Sequence, residues 1–398
     1  MPEYLPERYQ RPKVDEGHED VDELLSDLED ELNREYSIAA RQMKKKSLEY
    51  LAFFKEMDVK KRKELENGTI TKKEYQAWRL SHMLTGKRWF EYADILATDL
   101  TNRSIIANSI INEYLPDAYS IGINYGVYNV EKNGLIDTSW TLYDKQTVER
   151  LIKEKPDLLP KPTVNIPKDK IWNKQKLNSA ITQGILQGES IPQIADRLSE
   201  VADMSENQAI RTARTMITNA ENAGRSDGYK RCEAIGVDLV IEWAATLDHR
   251  TRISHRLLDG QRKKVDDFFE IDGIKLKYPA DLGGKDYKVP PDMIWNCRCT
   301  MLAWARGFEG DKVKSSPKLK GMSYDAWQKA KGDDPQLRAE RNIKSDHRIY
   351  EEYKNLNLLS MPKKFEDFQN LKYQQPEKWK ELKKQARIKR DKLRKGRE

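Results

Sequence analysis

Three cysteines in 398 residues cannot build a disulfide framework, and two of them, Cys297 and Cys299, lie one residue apart. No apolar run approaches the eighteen or so residues that a bilayer span needs. The N-terminal Met-Pro-Glu-Tyr-Leu-Pro-Glu lacks the basic and apolar regions of a secretory signal. With 20 Gly and 16 Pro, a collagen-like repeat is excluded. Histidine is scarce at five. A Walker loop, a Gly-x-Ser-x-Gly elbow, a Rossmann glycine run and the zinc-deaminase pattern are all missing. These absences leave a soluble protein of a reducing cytosol, without a recognisable catalytic signature.

What is present is charge and helix. Charged residues make up 34% and apolar residues 38%, with nine Trp and 18 Tyr, which is too aromatic for a disordered chain. Residues 15–35 carry eleven acids against Arg34 alone, while residues 376–398 carry eleven Lys/Arg against four acids. Such polarity suits an acidic protein-facing end and a basic end that meets phosphate, or two solvated helix faces.

Val21, Leu24, Leu25, Leu28, Leu32, Tyr36, Ala39 and Met43 fall at helical steps, and the pattern runs less cleanly to Leu65. Thr71 and Glu74 form a capping box, Gly86 breaks the next helix, and Trp89–Tyr114 reads as helix stopped by Pro116. Four prolines make 151–170 the expected linker. Helices are expected at Ile171–Leu186, at Pro192–Val201 and, capped by Ser205 and Gln208, from Glu206 to Gly224 or on to Ala234. Leu239, Ile241, Trp243 and Ala245 then alternate as a strand.

The expected class is α+β, mainly α: long N-terminal helices, a helical region with a small β-rich module, and a basic tail. The divisions read as 1–150, a linker at 151–170, a module at 171–310, and a charged, partly disordered extension at 311–398.

Chemistry concentrates in Thr246–Gln261 and Asn296–Thr300. His255, Cys297 and Cys299 supply the imidazole and thiolate donors that zinc prefers, with Asp248 or His249 as a fourth ligand or a supporting group. Cys-x-Cys is not the usual Cys-x₂-Cys knuckle, so a buried thiol pair beside a hydrogen-bonded His is the competing reading. Cys232 reads as core. Arg211, Arg214, Thr215, Thr218 and Asn222 form one polar stripe, read as a solvated face or as a contact for phosphate or for Asp248 or Glu242. In the tail, Lys383, Lys384, Arg387, Lys389, Arg390, Lys392, Arg394 and Lys395 are the candidate nucleic-acid contacts. Only a thin apolar line accompanies them, so no independent core is expected there.

Ile210-Arg-Thr-Ala-Arg-Thr215, Asn219-Ala-Glu-Asn222, Glu242-Trp243, Asp248-His-Arg250-Thr-Arg252, His255, Leu258-Asp-Gly-Gln261, Pro290-Pro291 and Asn296-Cys-Arg-Cys299 occur in that order over 203–306. This set resembles the Mu F-like (SPP1-type) phage minor head proteins. The resemblance implies a non-enzymatic virion protein, present in the host cytoplasm during assembly and then in the head interior or at the portal vertex. It implies association with the portal protein, with scaffold and major capsid protein as further partners, and a role in packaging or delivering double-stranded DNA. Some such proteins carry a transferase domain after the shared block. Residues 311–398 are too short, too polar and too poor in Gly and His for one. The competing functions are a metal-dependent nuclease centred on His255 and a plain DNA-binding protein using the tail.

Overall fold

The computed structural model describes residues 15–84, 87–309, 313–331 and 343–395, with residues 87, 343–345 and 391–395 described by their backbone alone. In chain order the helices are α1 (Glu16–Ala52), α2 (Lys55–Glu66), α3 (Lys72–Arg79), α4 (Lys87–Gly134), α5 (Lys145–Glu154), α6 (Ile166–Gln187), α7 (Ile191–Ala234), α8 (Ile253–Leu258), α9 (Pro291–Ile294), α10 (Tyr324–Lys331), α11 (Ile343–Asn355), α12 (Phe365–Gln374) and α13 (Pro376–Lys395). The strands are β1 (Ile136–Asp137), β2 (Val237–Ala244), β3 (Arg262–Lys263), β4 (Phe269–Ile271), β5 (Ile274–Leu276), β6 (Thr300–Phe308) and β7 (Lys314–Ser315). The architecture is mainly helical α+β, as the periodicity implies.

Local chemistry explains many of the ends. Asp15 caps α1 by accepting from the His18 backbone, and Glu16 and Glu19 lie in the first turn, where the helix dipole favours acids. The Thr71/Glu74 box is complete, with Thr71 N–H donating to Glu74 at 2.7 Å. Asp272-Gly273 joins β4 to β5 as a two-residue hairpin with both φ positive, at 48° and 77°. The break expected at Gly86 lies outside the described residues.

Three helices run differently from their sequence signals. The first stripe does not continue unbroken to Leu65: α1 ends at Ala52 and a turn at Phe53-Phe54 starts α2. Pro116 does not stop α4, which continues to Gly134. A proline inside a helix removes a backbone hydrogen bond, but Ala118, Tyr119, Ile123 and Val127 beyond it are all buried and hold the helix together. Nor does Ser205 cap a new helix. It is buried within the 44-residue α7, its hydroxyl donating to the Val201 carbonyl at 3.4 Å.

Compact packing defines two units, one of residues up to 138 with 143–320, the other of 139–142 with 321 onward. In the first, α7 packs along both α4 and α1. The helices on either side of the Pro-rich stretch thus share one unit, and 151–170 is spanned by the end of α5, a short turn and the start of α6. A core of Met43 and Leu51 from α1, Trp89 and Leu96 from α4, Ile181 from α6 and Leu198 from α7 ties these helices together.

Where α4 crosses α7 the contact is made by glycine. A Cβ on Gly122 would lie 2.1 Å from the Glu221 carbonyl oxygen, and one on Gly224 would lie 2.4 Å from that of Tyr119. Gly126 and Gly228 repeat the arrangement one turn on, at 3.1 Å from Arg225 Cα and 2.9 Å from the Ile123 carbonyl oxygen. Both helices therefore carry Gly-x-x-x-Gly at the crossing. Beside α7 lies the antiparallel sheet β3-β2-β6, with Ile241 paired to Ala303 and Trp243 to Met301.

In the second unit α11, α12 and α13 enclose a core of their own, in which Phe368, Leu382 and Ala386 are fully buried. The tail helix thus shares in a core only together with the helices before it. Its thin apolar line is completed by aromatics from the preceding helices: Trp379 packs edge-on to Phe368 at 5.5 Å and over Tyr353 at 6.0 Å.

Candidate metal centre

The β2–β6 pair brings the two densest sequence clusters together. Strand β2 ends in Trp243 and Ala244 and leads into the loop 245–252 and then α8, which carries His255. Cys297 and Cys299 lie on the segment that enters β6. Asn296 adopts φ 53°, a left-handed conformation that Asn tolerates, and turns the chain from α9 into Cys-Arg-Cys.

Three side chains of α7 then hold this segment by its backbone. The Thr215 hydroxyl accepts from Asn296 N–H at 3.1 Å, Thr218 donates to the Cys297 carbonyl at 3.0 Å, and Asn222 donates to the Cys299 carbonyl at 3.1 Å. The polar stripe of α7 is thus a buried clamp in this part, not a solvated face. Its two arginines point elsewhere: Arg214 pairs with Glu29 and Arg211 lies over the Trp295 ring. Glu242, the other acid that could have met the stripe, binds Arg262 and Trp304 instead.

His255, Cys297 and Cys299 are each no more than 2% exposed, and their donor atoms lie within 4.8 Å of one another. His255 Nδ1 is 3.3 Å from Cys299 Sγ and 3.7 Å from Cys297 Sγ. The Trp243 ring stands edge-on to the imidazole at 6.0 Å. A hydrogen bond from the Cys299 thiol, opposed by burial and aided by His255, holds Cys297 well below the ordinary thiol range. Burial and the neighbouring Cys297 push Cys299 well above it. The two thiols are thus shifted in opposite directions by the hydrogen bond between them.

Asp248 does not join this cluster. Both its carboxylate oxygens accept from Arg298, each at 2.7 Å, and the Arg250 backbone adds a third bond at 2.9 Å. The Arg298 fork, with those further donors, keeps the carboxyl well below its usual range. Asp248 thereby fixes the loop against the Cys-Arg-Cys segment rather than offering a ligand. Cys232 is buried in the core as expected.

All three cluster residues line a cavity of about 470 Å³, walled by His18 and Asp22 of α1, Arg214 of α7 and Arg252. Behind that wall is a charge network whose full extent no sequence signal announces. Arg225 and Glu221 of α7 are completely buried. Arg225 donates to both oxygens of Asp15 at 2.9 and 2.8 Å, and to Glu221 at 3.0 Å. Glu221 also meets His18 Nδ1 at 2.9 Å and the Thr300 hydroxyl at 3.3 Å. The Glu221/Arg225 spacing of four is a visible signal for an ion pair on α7; nothing local points to its partners on α1.

Burial alone would depress His18, but the charge of Glu221 and the hydrogen bond to it prevail and raise its pKa from 6.5 to about 9. A value raised on folding means stability that is complete below about pH 6.5 and lost as pH climbs through about 9. The stability gap between the native chain and His18→Gln, from urea unfolding, is therefore expected to shrink by roughly 3 kcal/mol between pH 6 and 10. Taking the difference cancels Lys263, which burial pushes down to about 8 and which titrates in the same window.

In the second unit Lys383, Lys384, Arg387, Lys389 and Arg390 lie on the exposed side of α13. Arg390 reaches Glu352 at 2.5 Å and lies over the Tyr353 ring. The side chains of Lys392, Arg394 and Lys395 lie outside the described residues.

The protein is, by fold and site, a mainly helical protein in which two long helices and a small antiparallel sheet enclose a buried His/Cys/Cys cluster. Residues 175–302 match the family model described as Phage Mu protein F like protein, and over this block the chain is similar to the Mu F-like proteins. Over 275 residues the chain is 27% identical to the NAD(+)--arginine ADP-ribosyltransferase EFV of Enterococcus faecalis, a match covering 68% of this chain and 54% of that protein. Over 235 residues it is 28% identical to the minor head protein GP7 of Bacillus phage SPP1, covering 57% of this chain and 70% of that protein. The chain thus spans about half the length of the first relative and just over two thirds of the second. No solved structure matches the chain. Among the described residues no helix is long and apolar enough to cross a membrane.

Proposed function

We propose that the protein is a structural minor head component of a tailed phage, acting in head morphogenesis at the portal and without catalytic activity of its own. The observation that carries this reading is the 235-residue match to a minor head protein, which is longer than the 128 residues of the family block. The shared segment therefore takes in helices outside that block. Exposed Phe53, Met57 and Val59 around the α1–α2 turn, with Phe90 and Ile95 on α4, supply apolar surface suited to a portal partner. Scaffold and major capsid protein are further candidates for the same surface.

The relative named as a transferase shares this chain over about half of its own length, so its name does not favour an enzyme here. A nuclease centred on His255 is not favoured either, since Asp248 is committed to Arg298. The basic face of α13 is suited to packaged duplex DNA, through phosphate neutralisation without base readout.

Co-expressed portal protein and full-length chain are expected to purify as one complex. Portal rings that elute unchanged and without the chain would remove the reading. For the tail, the triple variant Lys383→Glu, Lys384→Glu and Lys389→Glu should bind random-sequence duplex more weakly. Its salt slope should be flatter by roughly 0.9 for each phosphate that is no longer neutralised. An unchanged slope would assign DNA binding to another surface.

A further inference from the structure

We propose that His255, Cys297 and Cys299 hold one zinc ion, with His255 bound through Nδ1 and the fourth position taken by water from the cavity beneath α1. Zinc–nitrogen and zinc–sulfur bonds of about 2.05 and 2.3 Å at a tetrahedral angle place the two donors roughly 3.6 Å apart. The observed separations from Nδ1, 3.3 and 3.7 Å, bracket that edge. On these two edges an ion can enter with donor shifts of a few tenths of an ångström.

Charge supports the same assignment. Two thiolates and a neutral imidazole cancel the charge of Zn²⁺, and a neutral unit is the form that a fully buried position tolerates. A carboxylate ligand would leave the unit negative, and Asp248 is held away by Arg298. Among the described residues the donor cluster contains three members, so the protein leaves one tetrahedral vertex open. All three line the same cavity, which gives water access to that vertex.

The ion would also meet a structural need. Between His255 and Cys297 lie 41 residues whose regular elements, once α8 has ended, are no longer than four residues. Cross-linking α8 to the start of β6 restrains a stretch of such short elements. The Thr215, Thr218 and Asn222 clamp pre-positions the cysteines by their backbone, leaving the thiols turned toward His255.

The test uses full-length protein purified without chelator, followed by elemental analysis and by Co²⁺ exchange. About one zinc per chain is expected, together with a thiolate-to-cobalt charge-transfer band and tetrahedral ligand-field bands. The double variant Cys297→Ser and Cys299→Ser should lose both, while His255→Cys, which keeps a zinc donor, should retain the metal. If the double variant does not fold, the cobalt spectrum of the native chain decides between metal-bound and hydrogen-bonded thiols. Native protein that contains no zinc and gives no charge-transfer band with added Co²⁺ overturns the proposal, as does zinc retained by a folded double variant. Adding azide should shift the ligand-field bands through the exchangeable water; unshifted bands would overturn the open fourth position.

Discussion

Arg225→Met is expected to destabilise the full chain by about 3–5 kcal/mol, because it removes one partner from a buried charge network and leaves the others without it. Glu221 is completely buried and would keep only His18 and Thr300, while Asp15 would lose both of its bonds from the guanidinium. The methionine side chain restores most of the volume, so the loss reports charge rather than a cavity. The comparison is Arg306→Ala, which removes an exposed pair with Asp238 and should change stability by no more than about 0.5 kcal/mol. Urea unfolding of both variants checks the contrast, and equal effects would show that the network contributes little. Limited proteolysis should also cut first near the start of α1 in Arg225→Met, since Asp15 and His18 anchor that end to α7.

Gly122→Val is expected to cost about 3 kcal/mol or more, through overpacking at a backbone contact. Its Cβ would fall 2.1 Å from the Glu221 carbonyl oxygen, an atom that cannot rotate away as a flexible side chain can. The helices would have to separate, and Gly224, with 2.4 Å to the Tyr119 carbonyl oxygen, sits in the same contact. Separation would also pull at Glu221 itself, so the cost should not simply add to that of Arg225→Met. Gly307→Ala provides the control, since no atom lies within 4 Å of its added Cβ and its φ is not positive. Thermal unfolding of the two variants should differ by many degrees. Similar melting temperatures would mean that the crossing can relax.

Local pattern was enough wherever a residue's partner is near it in sequence. The Thr71/Glu74 cap, the strand around Ile241 and Trp243, and the buried stripe from Val21 to Met43 all depend on neighbours a few positions away. The cluster of His255, Cys297 and Cys299 was legible for a different reason: scarce residue types with one shared chemistry stood out against a charged background. Pro116 and Ser205 misled because their local preferences oppose a continuous helix, while tertiary burial along α4 and α7 supplies more than those preferences cost.

Alone, the sequence determined the helical class, the cap at Thr71 and the scarce His and Cys residues that the fold gathers into one cluster. Only the tertiary structure decided that Asp248 belongs to Arg298, that the α7 stripe clamps the cysteine segment, and that α1 reaches α7 through Asp15 and His18. It also decided that the tail's thin apolar line is completed by Tyr353 and Phe368. Side-chain period and capping are set within one or two turns of chain. The strength of a buried charge pair or a glycine contact depends on which distant backbone arrives beside it, and on how much water that approach removes.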